Sequence, residues 1–240
     1  MNTTGELTIV IPAKNEARNL PRLLTSLSEQ DYLLLPHTKV FVADANSTDG
    51  TIEIANSFSG RLDISVIPGG LPSVGRNAGA SLATSTYVLF IDADIELPDA
   101  TLLRRAMHKM KLRGLHCLTT NIRCSDGRRI DHALYAGNNL VQRVSSWTKP
   151  FSTGMFMLFE KARFDELGGF DERALYAEDY LLSKQVSPRR FGVVRGNVLT
   201  SNRRFRKMGH WRIARMFLKT ALNTWNYDYF LRDQGYWKEV

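Results

Sequence analysis

Tyr87-Val88-Leu89-Phe90-Ile91-Asp92-Ala93-Asp94 is an apolar run that ends on two carboxylates one residue apart. An unbroken apolar run of this length is the pattern of a parallel strand buried on both faces. Its acids should therefore emerge at the carboxyl edge, where open α/β sheets bind their ligands. Side chains alternate along extended chain, so Asp92 and Asp94 face the same way and Ala93 leaves the backbone between them uncrowded. Such a pair can hold a divalent cation through oxygen, or it can cap a helix or form a solvated turn.

Upstream, strands and helices alternate. Leu7 to Pro12 reads as a first strand, followed from Asn15 by a helix with Leu20, Leu23, Leu24 and Leu27 at helical spacing. Lys39 to Asp44 is a second strand. Asn46-Ser47-Thr48-Asp49-Gly50 then forms a turn that caps a helix over Thr51 to Phe58. A short strand, Asp63 to Ile67, and a small-residue helix, Ser73 to Ala83, lead into the Tyr87 run. A helix from Asp99 to Leu112 closes this half. Repeated strand-helix-strand units predict an α/β fold with a mostly parallel central sheet covered on both faces.

The second half is less regular. Leu115 to Arg123 reads as a strand, Ala133 to Val144 as a helix, and Ser152 to Phe159 as a strand carrying Gly154. A helix starting near Ala177, a strand pair around Phe191 to Leu199 and an amphipathic helix over His210 to Trp225 follow. No linker or repeat separates the halves. The expectation is one domain over residues 1–240, with two functional halves that divide at about residue 98.

The chain has 240 residues, 43% hydrophobic, ample for one large core. No apolar stretch is long enough to span a bilayer, and the first residues lack the basic-then-apolar layout of a secretory signal, so a cytoplasmic location is expected. Cys117 and Cys124 lie at one strand and its exit with no metal-type spacing, and read as reduced structural thiols. The net charge of +8 is concentrated late, with ten basic residues between Arg189 and Lys219. That excess suits an anionic partner. Nucleic acid is disfavoured because no recognition motif or stacking array accompanies the charge, which leaves a phosphorylated small molecule, an anionic membrane face or simple solvation.

Five motifs sit at strand ends or helix starts: Pro12-Ala13-Lys14-Asn15-Glu16, Asp44-Ala45-Asn46-Ser47-Thr48-Asp49-Gly50-Thr51, Gly75-Arg76-Asn77-Ala78-Gly79, Asp92-Ala93-Asp94 and Glu178-Asp179. In this order they resemble family 2 glycosyltransferases of the GT-A fold. The resemblance implies an inverting, metal-dependent enzyme that moves one sugar from a nucleoside diphosphate donor, uridine ahead of guanosine, to a glycan or lipid-linked hydroxyl. It places Pro12, Ala13 and Glu16 in the nucleotide pocket, with Asn15 either there or capping the next helix. It further assigns Asp92 to the ribose, Asp94 to Mn²⁺ or Mg²⁺, Asp179 to the general base, and Gly154 and Glu178 to the acceptor.

Elementary chemistry supports several of these roles. The Asp44 carboxylate supplies acceptors for a uracil-like edge or a ribose hydroxyl. Arg76, in the first turn of a helix rich in Ala, Gly and Ser, can pair with nearby acids or a phosphate, or can be a surface arginine. Ser201-Asn202-Arg203-Arg204-Phe205 stands where processive relatives carry Gln-x-x-Arg-Trp. The mismatch at Ser201 and Phe205 argues for single transfer, while Arg203 or Arg204 could still neutralise a diphosphate. His210 is a candidate third metal ligand, or a structural histidine. Late aromatics such as Trp211 and Trp225, among the arginines, could rest on the inner face of an anionic membrane or belong to core and solvated surface. Two other readings compete. A sugar-phosphate nucleotidyltransferase would show a Gly-rich loop after the first strand, and Pro12 to Glu16 is not one. A non-catalytic nucleotide-sugar or anion-binding protein would not need both Asp94 and Asp179.

Overall fold

A computed structural model describes residues 5–235. Its strands are β1 (Leu7–Ala13), β2 (Lys39–Asp44), β3 (Asp63–Pro68), β4 (Tyr87–Ile91), β5 (Ile95–Glu96), β6 (Cys117–Cys124), β7 (Phe156–Glu160) and β8 (Phe191–Thr200). They form a single sheet in the order β3-β2-β1-β4-β7-β6-β8-β5. The first four run parallel, β7 enters antiparallel between β4 and β6, and β8 returns parallel to β6. Alternation along the buried strands sorts the core into two layers. Leu89 and Ile91 pack with α1 (Leu20–Ser28) and α4 (Leu102–Arg113) on one face. Val88 and Phe90 pack with α3 (Pro72–Leu82), α6 (Lys161–Glu166) and α7 (Glu178–Ser183) on the other. Helix α3 lies so close to β1 that a Cβ on Gly79 would come within 2.4 Å of Val10.

The structure corrects several expectations. Asn15 and Glu16 do not open α1, which starts at Leu20 after the capping position Asn19. Instead they tie the β1 loop to the β2 loop: the Asn15 N–H donates to Ser47 Oγ at 2.9 Å, and Asn15 Oδ1 accepts the Thr48 N–H at 2.9 Å. The expected strand pair over Phe191 to Leu199 is one strand. Gly196, at φ +145°, forms a bulge where the register against β6 shifts, rather than a turn. Ser152 to Met155 precede β7 instead of joining it, because the Ser152 and Gly154 N–H groups donate to Ser183 and Asp179 side chains, not to a neighbouring strand.

Helix α5 (Arg129–Ser145) covers the edge of β6 where β7 stops. Asn139 Oδ1 accepts the Ile122 N–H at 2.9 Å, its Nδ2 donates to the Ile122 carbonyl at 2.8 Å, and Gln142 Nε2 donates to the Thr120 carbonyl at 2.9 Å. Two side chains thus replace a missing strand. Asn139→Ala should cost about 2 kcal/mol, since it strands a backbone donor and acceptor together. Urea denaturation would check this, and an unchanged midpoint would mean that water satisfies the edge instead.

Candidate active site

The carboxyl ends of β1, β2 and β4 bring Glu16, Asp44, Asp92 and Asp94 to one edge, and α3 reaches across it with Arg76. Arg76 is buried. Its Nη2 donates to Asp92 Oδ1 at 2.6 Å, its Nη1 donates to Glu178 Oε1 at 2.7 Å, and its guanidinium lies 5.2 Å from the Phe170 ring centre. Burial pulls this group's pKa down, but Asp92, Glu178 and Asp179 outweigh it and raise it. The surface-arginine reading therefore fails. A Cβ on Gly154 would come within 2.3 Å of Arg76 Nη2, so this glycine leaves the room that the guanidinium occupies.

Asp179 accepts the Gly154 N–H at 2.8 Å through Oδ2 and the N–H of Tyr180 at 2.7 Å through Oδ1. Burial, with the Glu178 charge adding and Arg76 opposing, pushes its carboxyl up to about 7. It sits one residue into α7, behind Ala177, whose φ of +53° is a left-handed conformation rare for alanine. Such strain costs on the order of 1 kcal/mol and aims the first turn of α7 at Gly154.

On the other side of Asp92, Asp94 is pushed up to about 6 by burial, with the charges of Asp92 and Glu16 adding. Arg203, at the start of α8 (Arg203–Met208), donates from Nη2 to Glu16 Oε1 at 2.8 Å and to Asp94 Oδ2 at 3.3 Å. Arg204 lines the same cleft with Tyr135, Thr200 and Lys207. Asp44 Oδ2 accepts the Ser47 N–H at 3.0 Å, whereas Oδ1 is buried without a partner. A buried acceptor of that kind needs a donor from a ligand or water. Pro12 and Ala13 close β1 beside it, and Ala93 is buried between the two acids.

His210 begins α9 (His210–Leu222) and does not bond to Asp94. Its Nε2 meets Asp131 Oδ1 at 2.5 Å, and its ring stacks on Phe205 at 5.4 Å. Burial alone would raise the Asp131 carboxyl, but hydrogen bonds from His210, the Arg128 N–H and Asn202 outweigh it and hold it low. Among the described residues no group of three His, Cys, Asp or Glu encloses a metal position. Asn77 is a positioning residue that the motif reading passed over. Its amide accepts the Phe170 N–H at 2.9 Å and donates to the Phe170 carbonyl at 2.8 Å, holding the approach to α7 against α3. Its place directly after Arg76 was the available signal.

A parallel half-sheet with a carboxylate-lined edge, extended by an antiparallel strand into a second half, defines the GT-A class of fold. Solved GT-A structures match it: Staphylococcus aureus TarS 1-349 in complex with UDP (TM-score 0.62, 20% identity, 80% of this chain and 60% of that one) and the Pyrobaculum calidifontis mannosyltransferase PcManGT in complex with GDP-Man and Mn2+ (TM-score 0.66, 20% identity, 90% and 64%). Residues 8–168 match the family profile described as Glycosyl transferase family 2, and the chain belongs to that family. Among sequence relatives, the 4,4'-diaponeurosporenoate glycosyltransferase of Staphylococcus haemolyticus is 25% identical over 190 residues, 76% of this chain. The chain spans less than half the length of that protein, 47%.

Proposed function

We propose that the chain is an inverting, non-processive glycosyltransferase. It would move one sugar from a nucleoside diphosphate donor, uridine ahead of guanosine, to a hydroxyl acceptor on a glycan or lipid. The observation that carries this reading is Arg76, which binds Asp92 with one nitrogen and Glu178 with another. It thereby joins Asp92, two residues before Asp94, to Glu178, next to Asp179, through a single guanidinium. In this reading residues up to about 98, joined by Arg203 and Arg204, hold the donor and the rest supply the acceptor side. The base pairs with the open Asp44 Oδ1, and Asp92 meets the ribose beside Pro12, Ala13 and Ala93. Arg203 and Arg204 receive the diphosphate, Arg203 first giving up one of its two carboxylates. Asp179 takes the proton from the acceptor hydroxyl as that oxygen attacks the anomeric carbon, with Gly154 and Glu178 beside it. A single displacement inverts the centre and needs no enzyme nucleophile.

Mn²⁺ or Mg²⁺ fits Asp94, whose carboxylate lines the cleft. His210, whose Nε2 is held by Asp131, is not among the residues lining the Asp94 cleft and would join only by bringing its Nδ1 to the ion. The remaining positions would fall to diphosphate oxygens and water, as is usual for these hard cations. When bound, such an ion would stabilise the charge on the departing diphosphate.

Thermal unfolding across a panel of nucleotide sugars with Mn²⁺ tests the donor half. At a hundredfold excess over Kd the donor should add about 2.7 kcal/mol of stability, and Asp94→Ala should abolish the gain. A gain unchanged in that variant would remove Asp94 from the site. A gain without turnover would favour a binding protein. A cytoplasmic location is part of the same proposal, and no helix among the described residues is long and apolar enough to cross a membrane.

A further inference from the structure

Helix α5 is inside out. Its inward face carries Asp131, Asn139 and Gln142, which serve His210 and the β6 edge, while its outward stripe is Ile130, Leu140, Val141 and Val144. Those four recur at spacings that place them on one side of a helix, over four turns. Helix α9 repeats the arrangement. Ile213 and Met216 face inward onto Leu134 and Tyr135 of α5, whereas Trp211, Leu218 and Leu222, seven and four residues apart, lie on the side facing away. The two helices therefore adjoin, and each turns its apolar stripe outward. Trp147 follows α5 and Trp225 follows α9, linked by Lys149 lying 6.0 Å over the Trp225 ring. These tryptophans and Trp211 are 78, 81 and 84% exposed, far beyond the scattered exposure of an ordinary surface.

Charge decides what covers this face. Arg143, Lys149, Arg215 and Lys219 are exposed along the stripes. Between Arg129 and Ser152 the only carboxylate is the buried Asp131, and between Asn202 and Tyr227 there is none. A second copy bound through the same patch would set one cationic surface against another with no acid to pair. Exposed tryptophans and leucines flanked by lysine and arginine match the headgroup layer of an anionic bilayer. We propose that the outer faces of α5 and α9 dock this chain onto an anionic membrane surface, the tryptophans entering the headgroup region and the cations meeting lipid phosphates. The cleft at Asp94 shares Tyr135 with α5 and Arg203 with the segment leading to α9, so docking would hold that cleft close to the lipid.

Vesicle co-sedimentation of the whole chain tests the docking without reading sugar transfer, so failure of the transferase reading would leave the result intact. Phosphatidylcholine vesicles containing phosphatidylglycerol should bind the chain and shift its tryptophan emission to the blue, while phosphatidylcholine alone should not. Raising salt from about 0.1 M to about 1 M should release it. Arg215→Glu with Lys219→Glu, and separately Trp211→Ser with Leu218→Ser, should each lower the bound fraction about tenfold or more, with thermal midpoints close to the unsubstituted chain. Equal binding to both vesicles, no binding to either, or binding untouched by both pairs of substitutions would overturn the proposal. So would a dimer in sedimentation velocity that the Trp211 and Leu218 pair dissolves.

Discussion

Asp179→Asn should lower turnover by about 10²–10⁴-fold while leaving donor-induced stabilisation nearly intact. The amide keeps the shape of the carboxylate but cannot take a proton from an acceptor hydroxyl. The size of the loss follows from what a positioned base contributes. The unsubstituted chain should carry a matching pH signature. Burial pushes the Asp179 carboxyl up to about 7, so the base is increasingly protonated below that value, and kcat/KM should fall on the acid side about tenfold per pH unit. The variant's residual rate should lack this limb.

Stability should move in the opposite sense. The folded value lies above the unfolded value of about 3.9, so the folded state binds this proton more tightly. Its contribution is complete below pH ~4 and is lost as pH rises through about 7. Unfolding free energies across that window should flatten in Asp179→Asn. Wild-type turnover in the variant would remove Asp179 from the chemistry, whatever became of the donor site.

Arg76→Ala should destabilise the chain by about 3–5 kcal/mol, the scale for removing one partner of a buried ion pair. Glu178, with 6% of its side chain exposed, would be left without its cation, and Asp92 would lose its 2.6 Å partner. Lysine should not repair the loss, because one ammonium cannot span two carboxylates as the forked guanidinium does. Arg76→Met combined with Glu178→Gln should recover part of it by removing the uncompensated charge. Denaturant midpoints read all three variants. A loss below about 1 kcal/mol in Arg76→Ala would show that solvent enters the site and screens the carboxylates.

The parallel half of the fold was legible because its strands are unbroken apolar runs bounded by Pro, Gly or Asp. The bounds expected for β2 and β4 are the ones found, and those of α2 (Thr51–Ser57) and α3 differ by a residue. The second half was read less well because side chains replace backbone pairing there. Asn139 and Gln142 act at separations of 17 and 22 residues, which no local pattern announces. Gly196 looks like a turn and makes a bulge. Short elements whose form depends on tertiary contacts, β5, α6, α8 and α10 (Tyr227–Leu231), left no periodic trace. At the site, residue types pointed to the acids and to Arg76. The left-handed Ala177 and the Asp131 hold on His210 depend on partners distant in the chain.

Arg76 and Glu178 are 102 residues apart, and Glu16 and Arg203 are 187 apart. Closing such long loops costs chain entropy, so these bonds are expected late in folding. A chain emerging from the ribosome would present Glu16, Arg76, Asp92 and Asp94 well before Glu178 and Arg203 exist to meet them. The first half must therefore hold Arg76 on Asp92 alone for a time, and weakening the ion pairs should speed unfolding more than it slows folding.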